Sequence, residues 1–165
     1  MRLAPLLLVL PTACTAAPTL QTPASTAPFP VADFFTGRSE GKATLKVVFR
    51  RAVPVTVASM GRRDDDGTLV LDQRIREGDK PERARQWRLR ETAPGRWTGT
   101  LTDATGPVEA LVEGPTLRLR YPAEGVRIEQ RLVMRADGRS AHNLLTAHKF
   151  GVRVAVLDEV ITKRD

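Results

Sequence analysis

The sequence predicts an all-β protein: a single antiparallel meander barrel, or a strongly curved sheet, of about eight to ten strands. Three observations lead there. Short runs of alternating apolar and polar residues recur from Gly41 to Lys163. Turn signals cut them at Asp66-Gly67, Pro94-Gly95, Gly106-Pro107, Gly114-Pro115, Glu124-Gly125 and Asp137-Gly138. No segment carries a convincing 3.6-residue apolar period with caps. With 165 residues, 5% aromatic content and one cysteine, the chain has material for one modest core and no disulfide within it.

The N-terminus comes first in the chain. Met1-Arg2 supplies positive charge, Leu3 to Leu10 is apolar, and small residues follow in Thr12-Ala13-Cys14-Thr15-Ala16-Ala17, which together read as an export signal. The apolar run is too short to span a bilayer, which takes about 20 such residues. Two outcomes stay open. Thr12 and Ala13 before Cys14 match a bacterial lipobox, whose cysteine carries palmitate-type acyl chains and becomes the mature N-terminus, although Pro11 stands where Leu is usual. Cleavage after Ala16 or Ala17 leaves a soluble periplasmic or secreted protein instead. The first outcome divides the chain into a signal peptide (1–13), a lipidated, uncharged Ala-Pro-Thr tether (14–30) and a β-barrel domain (31–165). It makes the membrane a partner through Cys14. Thr15, rather than Asp, after the cysteine points to the periplasmic face of the outer membrane.

Within the domain, a single helical turn fits only Val31 to Thr36, with Asp33 as its cap, and no helix is long enough to lid a barrel. Val53, Val55 and Val57 share one face, and Pro54 marks an edge or bulge. Leu69 and Leu71 follow, with Val70 hinting at burial on both sides. Trp87 and Leu89 alternate with Arg88 and Arg90; Trp97, Gly99 and Leu101 share a face. Val108, Ala110 and Val112 alternate with Glu109, Leu111 and Glu113. Leu117, Leu119 and Tyr121 alternate with Arg118 and Arg120. Val126, Ile128, Leu132 and Met134 alternate with Arg127, Glu129, Val133 and Arg135, and Gln130 falls on the inner parity. The apolar faces converge inward and the guanidinium groups stay in water.

A net charge of +7 and a pI near 10.5 raise the question of acidic partners, and arginine supplies 21 of the 26 cations. The cations are spread out and interleaved with acids, as in Arg74-Ile75-Arg76-Glu77. Both tryptophans sit on the apolar parity, so no stacking platform adjoins a basic stripe and no nucleic acid is expected. Attraction to anionic lipid head groups needs no such platform.

Catalytic and metal chemistry is thin. His142 and His148, six residues apart, would stand about 20 Å apart on one extended strand, too far to share a metal. Asp64-Asp65-Asp66-Gly67 lacks the spaced ligands of a calcium loop and reads as a hairpin turn. Ser140 and His142 fall on one face with no strained elbow and no carboxylate assigned to them. No cofactor is expected. Counting on from Trp97 carries Asp103 to the inner face; the alternative is a type I turn over Asp103-Ala104-Thr105-Gly106.

Phe34-Phe35-Thr36-Gly37-Arg38, Trp87-Arg88-Leu89-Arg90, Gly99 to Gly106, Leu117-Arg118-Leu119-Arg120-Tyr121 and Lys149-Phe150-Gly151-Val152-Arg153-Val154 occur in an order that resembles the bacterial family known as domain of unknown function 3833. That resemblance implies exported lipoproteins, a lipocalin-like barrel and no established activity. By analogy it implies a small apolar or amphipathic, lipid-like ligand.

Three readings follow. A binding protein would use Trp87, Trp97, Leu101, Leu119, Tyr121, Ile128, Leu132 and Met134 as apolar walls, with Asp103, Gln130 or Asn143 orienting the ligand, and would enclose a void on the order of a few hundred Å3. A structural module would fill its own interior and dock partners on a sheet edge or the basic exterior. A hydrolase or isomerase would need Asp103 to converge with His142 or His148 within about 3 Å of one point.

Overall fold

Ten antiparallel strands follow one another around a closed barrel in the computed structural model, which describes residues 17–165. The expected leader and Cys14 lie outside the described residues. A five-residue helix, α1 (Val31–Phe35), precedes β1 (Gly37–Val47), β2 (Val53–Arg63), β3 (Leu69–Glu77), β4 (Arg83–Ala93) and β5 (Arg96–Leu101). Then come β6 (Val108–Glu113), β7 (Thr116–Ala123), β8 (Val126–Met134), β9 (Ser140–Lys149) and β10 (Val152–Lys163). Each strand pairs with its neighbours in sequence, and β10 returns to β1 over Ser39↔Lys163 to Val47↔Ala155. Closure leaves no unpaired edge.

The turns explain the meander. Gly67, Gly95, Gly114, Gly125 and Gly138, five of the six glycines marked as chain cuts, adopt the left-handed backbone that tight reversals demand. In the acidic turn, the Thr68 N–H donates to Asp66 Oδ1 at 3.0 Å and the Gly67 N–H to the Asp64 carbonyl at 2.9 Å, a hairpin rather than an ion loop. Pro54 is tolerated because it lies one residue before the β2–β3 ladder begins at Val55↔Glu77.

Side-chain parity sorts as the sequence predicts. Trp87, Leu89, Trp97, Leu101, Val108, Ala110, Leu117, Leu119, Tyr121, Ile128 and Leu132 enter one buried cluster. Each fully buried large apolar side chain contributes about 1.5–3 kcal/mol through water released from its surface. Val55, Val57 and Ile75 form a second, smaller cluster with Ala43, Leu45 and Leu157.

The short helix does more than its length suggests. Phe34 packs edge-on against Phe29 and Phe35, with ring centroids at 5.4 and 5.0 Å, and Val31, Ala32 and Phe34 are buried. The Phe29 N–H donates to the Gly114 carbonyl at 2.9 Å, and Lys163 Nζ donates to the carbonyls of Asp33 and Thr36. Gly61 lets this element approach: a Cβ there would stand 1.7 Å from the Phe35 carbonyl oxygen. So α1 plugs one end of the barrel although it is too short to act as a lid by area. Asp33 does not cap it; Pro30 occupies the N-cap and Asp33 sits in the first turn.

The segment before the helix has no regular secondary structure, yet Phe29 is buried in the core. Further back, the Gln21 N–H donates to Nδ1 of His142 at 3.0 Å. Val133, Ser140 and His142 point away from the barrel interior but are buried all the same, beside this contact.

Candidate functional site

The interior is greasy except for one belt. On one wall Ser39, Ser59, Gln73 and Arg85 stand directly opposite one another in register across β1 to β4, forming a polar row. Gln73 is its hub: its Nε2 donates to Ser59 Oγ at 3.0 Å, and its Oε1 accepts from Arg85 Nε at 2.7 Å and Trp87 Nε1 at 2.8 Å. The Arg85 guanidinium lies 5.4 Å from the centroid of the Trp87 ring, and Trp87 meets Tyr121 edge-on at 5.5 Å.

The other wall continues the chain. Gln130 Nε2 donates to Tyr121 Oη at 2.9 Å, and Asn143 Nδ2 donates to Glu159 Oε2 at 2.8 Å and, at 3.4 Å, faces Gln130 Oε1. Gly41 makes room for the acid, since a Cβ there would stand 2.0 Å from Glu159 Oε1. This belt separates the two apolar clusters. Asn143 Oδ1 and Ser39 Oγ are buried without a partner, which costs free energy wherever no water or ligand meets them.

Electrostatics single out two groups. Burial pushes the Glu159 carboxyl above its ordinary range, a push that the Asn143 hydrogen bond and the Arg85 charge only partly offset. Burial also pulls Arg85 down and pushes Tyr121 up. Arg85 keeps 17% of its side chain exposed, and the carboxylate of Asp103 stands 4.0 Å away, beyond hydrogen-bond reach and already paired to Arg83.

The raised Glu159 pKa sets a direction for stability. The folded state holds this proton to higher pH than the unfolded chain, whose reference is 4.5, so stability falls as pH rises from there through the folded-state value. Asp72 and Asp137 act in the opposite sense. Hydrogen bonds hold them below 3.8, and their contribution is lost only as pH falls below that reference. Glu159→Gln keeps an acceptor for Asn143 and removes the buried charge. It is expected to flatten the neutral-side decline and to raise stability there by on the order of 1 kcal/mol, read from urea midpoints between pH 4 and 9. An unchanged slope in the variant would assign the decline to another group.

Most of the residues singled out from sequence come together. Trp87, Trp97, Leu101, Leu119, Tyr121, Ile128, Gln130, Leu132 and Asn143 are buried, and Met134 is half-buried against the same cluster. Asp103 is the exception. β5 ends at Leu101, and Asp103 sits in a turn on the rim, its side chain 37% exposed beside Arg83. The void within the barrel is about 50 Å3, bounded by apolar residues such as Leu71, Leu119 and Leu132 and by Gln73, Arg85, Gln130, Asn143 and Glu159. That is far below the few hundred Å3 expected, because Trp87, Tyr121 and the long polar side chains fill the interior. It has room for a few waters or a small head group.

The proposed acid–histidine convergence does not occur. Asp103 follows β5 and pairs with Arg83 of β4, and these strands lie across the barrel from β9, which carries both histidines. His142 Nε2 instead faces Asp158 Oδ1 at 2.8 Å, and Ser140 donates to Asp137 at 2.5 Å. Among the described residues, no three His, Cys, Asp or Glu side chains gather as metal ligands would.

Arg85, Glu159, Gln73 and Ser59 were not among the sequence candidates. Parity contained the signal: Arg85 shares the face of Trp87 and Leu89, and Glu159 that of Leu157 and Ile161. A charge on an apolar face was the mark to look for.

With this geometry in place, comparison with known proteins is decisive on one point. A model of the family described as "Protein of unknown function (DUF3833)" matches residues 8–163. The chain belongs to that family. No functionally curated protein matches it. Among solved structures, the S-type phycobiliprotein lyase CPES from Guillardia theta is similar, with a TM-score of 0.63 at 7% identity over 82% of this chain and 90% of that one. A protein of unknown function of the DUF3598 family from Nostoc punctiforme is similar too, with a TM-score of 0.63 at 12% identity over 87% of this chain. The DUF3833 chain spans 52% of that second structure. At these identities the likeness is one of fold: a closed antiparallel meander barrel.

Proposed function

We propose that this DUF3833 protein is an envelope lipoprotein, anchored through Cys14, that binds a small amphipathic anion with its acidic head on Arg85. The observation that carries the reading is Arg85 itself: a guanidinium turned into an apolar barrel, hydrogen-bonded to a neutral amide, with no carboxylate in hydrogen-bond reach. The head group would lie in the void against the Arg85 guanidinium, and the apolar part would displace side chains of the surrounding cluster. The barrel fold, similar to that of a phycobiliprotein lyase, supports a ligand-binding reading. A second reading, a filled barrel that serves as an interaction module, is favoured by the 50 Å3 void.

The fluorescent anion 1-anilinonaphthalene-8-sulfonate separates the two. It is expected to bind saturably, quench Trp87 and Trp97 by energy transfer, and lose about tenfold in affinity in Arg85→Gln, or about 1.4 kcal/mol. Circular dichroism would confirm that the variant is folded. Equal affinity in the variant, or binding without tryptophan quenching, would favour the filled module.

A further inference from the structure

The end of the barrel opposite α1 carries an apolar tip that the interior site does not use. Because α1 leads directly into β1, the β1–β2 and β9–β10 turns both lie at this far end, and β1 and β10 are neighbours. The two turns are tied together, the Val48 N–H donating to the Val154 carbonyl at 2.9 Å. Of the five exposed large hydrophobic residues among the described residues, four are here: Val48, Phe49, Phe150 and Val152, with both phenylalanine side chains fully in solvent at 104% and 96% exposure.

Phe49 and Phe150 also have φ of 62° and 51°, and among the described residues no other non-glycine residue has a positive φ. A bulky side chain in left-handed backbone is unfavourable, and glycine would fit both positions without that cost. Two aromatic rings are therefore held out in water, in a strained backbone, at adjacent hairpin tips. They bury nothing within the protein.

Charge indicates what covers them. The segments 46–52 and 148–153 carry Lys46, Arg50, Arg51, Lys149 and Arg153 and no acid. No described carboxylate forms a salt bridge with any of these five, whereas arginines on the barrel wall such as Arg62, Arg88 and Arg120 are paired. Apolar rings at the point with unpaired cations around them match a bilayer surface, where the rings enter the acyl boundary and the cations meet anionic head groups. A protein partner would have to present an acidic rim around an apolar socket.

We infer that this tip docks the far end of the barrel onto an anionic lipid bilayer, independently of the interior site and of the N-terminal anchor. The test uses the full chain with Cys14→Ala, labelled with an environment-sensitive fluorophore at Phe150→Cys or, as a control on the barrel wall, at Met60→Cys. Vesicles of phosphatidylglycerol and phosphatidylcholine should blue-shift the label at position 150 and not the one at 60. Affinity should fall about tenfold on raising salt from 0.1 to 0.5 M, or with phosphatidylcholine alone. Phe49→Gly with Phe150→Gly provides the second arm: it should raise the melting temperature by relieving backbone strain, yet abolish tip-dependent vesicle binding. Equal responses at positions 150 and 60, undiminished binding by the double glycine variant, or concentration-dependent dimerisation through the tip without lipid would overturn the inference.

Discussion

Trp87→Ala is expected to destabilise the barrel by about 3–5 kcal/mol, the cost of removing a large buried aromatic and leaving a cavity that the walls cannot close. Trp87 is the joint between the two halves of the polar belt. Its ring meets Tyr121 edge-on and lies beneath Arg85, and its N–H fixes Gln73, which in turn orients Ser59 and Arg85. Truncation removes the packing and also lets a guanidinium and an amide lose their fixed geometry in a low-dielectric interior. For a domain of this size the melting temperature should fall by roughly 10–15 °C. Trp87→Phe keeps the ring contact and removes only the donor, so its cost should be nearer 1 kcal/mol. Urea denaturation of the two variants reads the difference, and a loss below about 1 kcal/mol for Trp87→Ala would show that the belt does not organise the core.

Gly61→Ala is the second large effect, and it works through a single methyl group. The added Cβ would sit 1.7 Å from the Phe35 carbonyl oxygen, a backbone atom that cannot rotate away. Either α1 lifts or β2 bends. Because Phe34 is buried and Lys163 holds the helix from β10, the expected outcome is a displaced plug at a cost of about 1–3 kcal/mol, with Phe29, Phe34 and Phe35 exposed to solvent. Hydrogen exchange should rise over residues 29–36 while the strands far from the plug keep their protection. Met60→Ala, at an exposed outward position next door, should change little. Unaltered exchange over the helix in Gly61→Ala would mean that α1 is not seated by this contact.

Much of the fold was legible because two local signals agreed. Alternation assigned an inward face to each strand, and turn glycines cut the strands at the points where left-handed backbone is required. What stayed hidden depends on distant partners. Parity carries Asp103 inward, while the turn signal of Asp103-Ala104-Thr105-Gly106 carries it out; the turn wins, and it starts earlier than that signal, where the Ala104 N–H donates to the Leu101 carbonyl. The plugging role of α1 rests on a close approach to Gly61 and on the Phe29–Gly114 hydrogen bond, contacts that no local pattern encodes. The hydrogen bond on Nδ1 of buried His142 comes from Gln21, a residue 121 positions earlier.

The candidate site was half legible for a related reason. Its apolar walls and two of its amides, Gln130 and Asn143, follow from parity, whereas Arg85 is masked by the alternating arginines at Arg88 and Arg90 that do face water. Glu159 lies in a strand whose outward positions also vary. Only the register shows that Ser39, Ser59, Gln73 and Arg85 make one row across four strands. The small void was not legible at all, because it depends on how Trp87, Tyr121 and the belt side chains fill the space between walls.

The central claim is that Arg85 receives the acidic head of a small amphipathic molecule. Full-length protein purified from its native host and measured intact by native mass spectrometry tests it most directly. The expected spectrum contains a species heavier than the covalent chain by one small acid, released on denaturation and not retained by Arg85→Gln. A wild-type spectrum with only the covalent chain would contradict the account.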